Sequence, residues 1–161
     1  MPSTHKKVII RKLDRDSMQG HVAATFLVDG KLEILNLAGK LVTVDLKEVK
    51  GVYFVRDFGD TEDLIRKTFT TRPRTEGLWV RLQFRDNDVL EGMMPNDLTQ
   101  ILPEGYFVNP PDARSNTQRI FVPKSALSDL CVLAVIGAPG TRRRKPTIPP
   151  SDSRQVPMFS E

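Results

Sequence analysis

Cysteine is almost absent from this 161-residue chain: Cys131 stands alone. No internal disulfide can form, and a lone cysteine fits a reducing, cytoplasmic setting. Histidine is nearly as scarce, with only His5 and His21, neither with a Cys or His partner at metal-ligand spacing. No apolar run approaches the roughly eighteen residues that a membrane-spanning helix needs. MPSTHKK at the start has no apolar stretch of signal-peptide type. No Ser–His–Asp set and no glycine-rich phosphate cradle are visible. GAPGTRRRKPT approaches a phosphate-binding loop, but Arg144 stands where glycine must precede the lysine. Ser17 and Gly20 have the spacing of a cyclic-dinucleotide motif, but Arg15 stands where Asp or Asn is needed. Catalysis is left without machinery, so the expectation is a non-enzymatic protein without metal or cofactor.

The net charge of +4 suggests nucleic acid until it is divided along the chain. Residues 137–161 hold five basic and two acidic side chains, which leaves 19 basic against 18 acidic in 1–136. The foldable part is nearly neutral, and the excess sits in a tail with five prolines and no apolar period. That composition predicts disorder over 137–161.

What is present is an internal repeat. VIIRKLDRDSMQG (8–20) and VRLQFRDNDVLEG (80–92) are two copies of one pattern, 72 positions apart. Asp14 and Asp16 fall on Asp86 and Asp88, and Gly20 falls on Gly92. Further on, Val44, Val49, Val52 and Phe54 fall on Val122, Leu127, Leu130 and Val132 at an offset of 78. Each copy reads as short strands, turn clusters and one 3₁₀ turn. Asp29-Gly30 marks a tight hairpin, since both residues accept positive φ. The paired aspartates read as turn formers that bond their own backbone, and Gly20 and Gly92 as points where a long strand bends. Cys131, inside the apolar strand LCVLAVI, reads as a small core residue. The predicted organisation is all-β, with two tandem five-stranded SH3-like barrels at 6–56 and 78–136. An excursion at 57–77 joins them, and the tail follows at 137–161.

The second copy resembles the Sm-like (Hfq-like) superfamily of small barrels. VRLQFRDNDVLEG is similar to that family's first two strands, and Lys124, Ala126, Leu127 and Ser128 match its lysine followed by an Ala-apolar-Ser turn. Ser125 stands where the pattern has histidine, and neither copy has the family's N-terminal helix. The resemblance implies a five-stranded barrel and points toward RNA. As a whole, 6–136 resembles an uncharacterised bacterial protein family with FVRDF and RIFVP segments, which implies no activity.

Two regions carry candidate binding residues. Arg114, Asn116, Gln118 and Arg119 lie close together, with Tyr106 and Phe107 on the preceding strand and Lys124 just beyond. Polar forks beside an aromatic suit single-stranded nucleic acid, and equally they brace a long loop. In the tail, Gln155, Met158 and Phe159 of QVPMFSE resemble the short peptide that docks bacterial proteins on the replicative sliding clamp. Arg142, Arg143, Arg144 and Lys145 are candidates for non-specific phosphate contacts, or else keep the tail solvated. The leading expectation is an adaptor whose barrels and tail engage protein partners, with single-stranded nucleic-acid binding as the alternative. The oligomeric state stays open, because a tandem pair can satisfy its strand edges within one chain.

Overall fold

The structure, a computed structural model, describes residues 5–58, 67–111 and 116–137. Among these there are eleven strands and three 3₁₀ turns, and no α-helix. The first copy supplies β1 (Lys6–Lys12), β2 (Ser17–Val22), β3 (Leu27–Val28), β4 (Lys31–Asn36), β5 (Leu41–Asp45) and β6 (Val49–Val55). The second supplies β7 (Gly77–Phe84), β8 (Val89–Met94), β9 (Gly105–Val108), β10 (Thr117–Pro123) and β11 (Leu127–Ile136).

The repeat is present in three dimensions down to register. Val8 pairs with Gly20 and Phe54, and Val80 pairs with Gly92 and Val132. Both first hairpins turn the same way: Lys12 N–H donates to Asp16 C=O at 2.8 Å, and Phe84 N–H to Asp88 C=O at 2.8 Å. Arg15 and Asn87 occupy the positive-φ corner at 75° and 71°. The aspartates act as turn formers: Asp14 accepts from the Asp16 N–H at 2.9 Å, and Asp86 from the Asp88 N–H at 3.1 Å. Asp29 and Gly30 both have positive φ, as a tight hairpin requires. A Cβ on Gly20 would overlap the Leu35 carbonyl oxygen, and one on Gly92 would overlap Val108 and the Asn109 carbonyl. Those glycines let a neighbouring strand cross closely.

The units do not close as two separate five-stranded barrels. β6 pairs with β1 on one side and, across the units, with β10 on the other. One eight-stranded sheet therefore runs β3-β4-β2-β1-β6-β10-β9, with β5 on β4, and β11-β7-β8 forms a second sheet. The link between β8 and β9 is a single bridge, Met93 to Asn109. The physical reason is edge satisfaction: the backbone groups of β6 that closure would have occupied are taken by the other unit. Among the described residues β5 pairs with β4 alone and β11 with β7 alone, so each leaves one side open. Between β2 and β3 the chain leaves the sheet at residues 23–26.

Alternation along the seam divides two cores. Phe121, Val52 and Phe54 belong to one apolar cluster with Val8, Ile10 and Leu32, while Ile120 and Val122 belong to the other with Val80, Leu82 and Phe84. Each fully buried Val, Ile or Phe contributes about 1.5–3 kcal/mol. Cys131, expected in a core, is exposed. It lies on an edge strand of the three-stranded sheet, where nothing among the described residues covers that side.

Ionic contacts reinforce the junction. Lys50 bonds Asp86 at 2.8 Å and Asp88 at 2.9 Å, and Lys67 bonds Asp88 at 3.0 Å. Buried Glu91 accepts from the Phe69 N–H at 3.0 Å and the Trp79 indole at 3.2 Å, which ties the connecting segment to the second sheet. Desolvation is the largest single effect on Asp86 and Asp88 and opposes their ionisation. The hydrogen bonds and charge of Lys50, with the Asp88 N–H at Asp86 and Lys67 at Asp88, together outweigh it and hold both below the ordinary 3.8. Burial pulls Lys50 down, yet the two carboxylates raise it above 10.5. The carboxylates' contribution is thus present above pH 3.8 and is lost as pH falls through their folded values. That of Lys50 is intact below pH 10.5 and lost as pH rises through its folded value.

Two outcomes are expected. Gly20→Ala and Gly92→Ala should each destabilise by about 1–3 kcal/mol in urea unfolding, because a backbone must move to admit the methyl group. Gly51→Ala, whose nearest contact would be the Tyr53 ring edge at 3.1 Å, should cost less. Between neutral pH and below 3.8, wild type should lose stability more steeply than Asp86→Asn/Asp88→Asn. The gap at neutral pH should stay within about 1 kcal/mol per pair, given partial exposure. Parallel pH profiles would refute the ionic reading of the junction.

Candidate functional site

Arg119 lies where the seam is irregular. Thr117 pairs with Val55 and Arg119 with Phe54, so Gln118 is the extra residue of a bulge. Bulges re-aim side chains, and here the guanidinium is set over two rings. Its Cζ is 4.8 Å from the Phe54 ring centre and 4.4 Å from that of Phe107. Beneath it the rings form a cluster drawn from both units. Phe26 meets Phe54 at 5.8 Å and Phe121 at 5.6 Å, and Phe107 meets Phe54 at 5.9 Å and Phe121 at 5.2 Å. Edge-on and tilted packing brings ring edges against ring faces and fixes their orientation.

Among the described residues no carboxylate or carbonyl accepts a hydrogen bond from the Arg119 guanidinium. Its only side-chain partners there are the two rings. Partial burial lowers its pKa, although it stays charged near neutral pH. A stacked, partly desolvated arginine with unused donors is prepared to bind a carboxylate or phosphate in bidentate fashion.

Clefts open on both sides of this side chain. The larger, about 450 Å³, runs along residues 23–27 past Phe54, Leu102 and Phe107, with Lys6 and Glu104 at its polar margin. The smaller, about 200 Å³, is bounded by Met94, Ile101, Tyr106, Asn109 and Arg119. A third cleft of about 500 Å³ lies between the two first hairpins and holds Arg11, Lys12, Lys50 and Lys67 beside Asp16, Asp86 and Asp88. Its three lysines are paired, Lys50 and Lys67 as above and Lys12 with Glu48 at 3.7 Å, and Arg15 also lines it. It serves the junction.

The residues singled out in the sequence separate here. Tyr106 and Arg119 share the smaller cleft, and the Lys124 ammonium sits 5.5 Å from the Tyr106 ring. Gln118 is exposed on the bulge. Asn116 is a brace: its side-chain oxygen accepts from the Asp57 N–H at 3.0 Å and its amide donates to the Asp57 carbonyl at 2.8 Å. Arg114 lies outside the described residues, as do Arg142, Arg143, Arg144, Lys145, Gln155, Met158 and Phe159. Sequence reading placed Phe107 beside Tyr106 but missed Phe26 and Phe54, which carry the groove with it. The only local clue was Phe54, whose counterpart in the repeat is the smaller Val132. Among the described residues, no group of three His, Cys, Asp or Glu side chains could hold a metal ion. No helix there is long and apolar enough to cross a membrane.

No curated protein and no solved structure matches the chain. A family model, a family of unknown function (DUF6982), matches residues 4–134, which include the seam, both repeats and every residue named in the clefts. The chain belongs to the DUF6982 family, a family of unknown function.

Proposed function

We propose that this protein is a non-catalytic binding module that holds a segment of a partner protein in the Arg119 groove, and that it serves as an adaptor. The observation that supports this reading most is the guanidinium stacked on Phe54 and Phe107 with no acceptor among the described residues. An extended segment would place a side-chain or terminal carboxylate on Arg119 and an adjacent apolar side chain against Phe107 and Leu102. The near-neutral balance of 1–136 favours such a ligand over a polyanion. The phenylalanine faces under Arg119 are also already occupied, which leaves none of them for base stacking. The adaptor's second contact would be Gln155, Met158 and Phe159, with the sliding clamp as the partner their pattern suggests.

Single-stranded nucleic acid is the second reading, favoured by Tyr106 and Arg119 sharing a cleft with Lys124 beside it.

A random-peptide library panned on the full chain should enrich sequences that place Asp, Glu or a free C-terminus beside a bulky apolar residue. Arg119→Ala should weaken a selected peptide on the order of tenfold to a hundredfold, the worth of about 1.5–3 kcal/mol for a hydrogen-bonded charge. Arg72→Ala should change nothing. Selected peptides indifferent to Arg119→Ala would sink the groove reading. Salt-sensitive oligonucleotide binding that Arg119→Ala abolishes would favour the second reading. For the tail, Gln155→Ala/Phe159→Ala should abolish capture of the sliding clamp by the full chain, and unchanged recovery would remove that partner.

A further inference from the structure

We infer that copies of this chain associate head to tail, with the free edge of β11 on one copy pairing with the free edge of β5 on the next. The chain already contains this interface once. Across the seam, β10 of the second unit pairs antiparallel with β6 of the first, Arg119 opposite Phe54, Ile120 opposite Tyr53 and Phe121 opposite Val52. The repeat relates β5 to β10 and β6 to β11 at an offset of 78, and the 3₁₀ turns at Leu46–Glu48 and Lys124–Ala126 obey the same offset. Each unit therefore has one strand of each interface type. The internal seam uses β6 and β10, which among the described residues leaves β5 without a β6-type partner and β11 without a β10-type partner.

Such an interface is heterologous: its two halves are different surfaces, so one copy cannot satisfy both by itself unless its own ends meet. Mapping the seam by 78 puts Leu41 of one copy opposite Val132 of the next, Val42 opposite Cys131, and Thr43 opposite Leu130.

The surface agrees with that register. Leu41 is 65% exposed and Val132 48%, and Val135 on the same strand is 57% exposed. Their covered counterparts show what the seam does: Phe54, equivalent to Val132, is 4% exposed, and Ile120, equivalent to half-buried Val42, is fully buried. β11, LSDLCVLAVI, thus presents a largely apolar edge ten residues long with Asp129 as its one charge, the kind of edge that soluble proteins normally blunt. A second copy covers it with the same backbone pattern the chain uses internally.

The full chain should run above its monomer mass of 18.2 kDa in light scattering after gel filtration, with the mass rising with concentration. Leu41→Lys and Val132→Lys, both at exposed positions, should each give a monomer. An equimolar mixture of the two should form a dimer, since each variant keeps the edge the other lost. Val42→Cys, under mild oxidation, should give an intermolecular disulfide ladder through Cys131, because directly opposed strand residues lie within disulfide reach. Val42→Cys/Cys131→Ser should give none. Wild type that remains monomeric at every concentration would overturn the inference and point to cover from within the chain. Association that survives either lysine variant, or a mixture that stays monomeric, would overturn it equally.

Discussion

The pairing of β6 with β10 is the constraint on which the rest depends. Both strands have a core on each face, so their side chains alternate between two apolar clusters. A slip of one residue would exchange Phe121 and Ile120 between clusters and place each in a space shaped for the other. The register is therefore strongly determined. With it are determined the meeting of the two units, the approach of Phe107 to Phe54, and the position of Arg119 above them. Lys50 reaching Asp86 and Asp88 is a consequence of the same pairing, not its cause. Partly exposed ion pairs contribute too little to align two sheets, whereas a buried face of aromatic and β-branched side chains contributes several times more.

The groove follows from one irregularity in this seam. An unbroken ladder would continue the alternation smoothly past Arg119, but the extra residue at Gln118 interrupts it next to the end of β6. The interruption lies beside an arginine two residues before Phe121, on the rim of an apolar core, with no carboxylate among the described residues to receive it. Burying part of a guanidinium costs free energy, and the two rings return only part of it. A ligand carboxylate would supply the missing partner while the rings hold the fork in place, so little conformational freedom is lost on binding.

The legible parts of the fold were local. DRDS and RDND announced their turns because an aspartate that bonds the backbone two residues on needs no distant partner. Asp29-Gly30 did the same for its hairpin. Gly20 and Gly92 were recognisable as special positions, though the reason, a strand crossing where a Cβ would stand, belongs to tertiary structure. What the sequence could not display was which edge pairs with which. The pattern of β6 and β10 is equally compatible with closure inside each unit, because the backbone hydrogen bonds are the same in either case. Cys131 was misplaced for that reason: an apolar strand reads as buried, yet β11 is an edge. Of the candidate site, Arg119 and Tyr106 were legible as polar and aromatic residues near a loop. Asn116 had the same composition but turned out to bond Asp57. Phe26, Phe54 and Phe107 come from distant parts of the chain, and no spacing rule joins them.

The duplication relates the arginine at the internal seam to an apolar residue at a free edge. Arg119 and Leu41 occupy equivalent positions, as do Phe54 and Val132. At the internal seam the pair is an arginine over an aromatic ring, and at the free edges it is leucine and valine. An arginine at a free edge would be hydrated, and its guanidinium would gain nothing from rings that are not there. Leucine and valine at the internal seam would leave the groove without a polar anchor. The two copies therefore differ in side-chain chemistry at a register position where their surroundings also differ: one is covered by the other unit, and its counterparts stand at exposed edges.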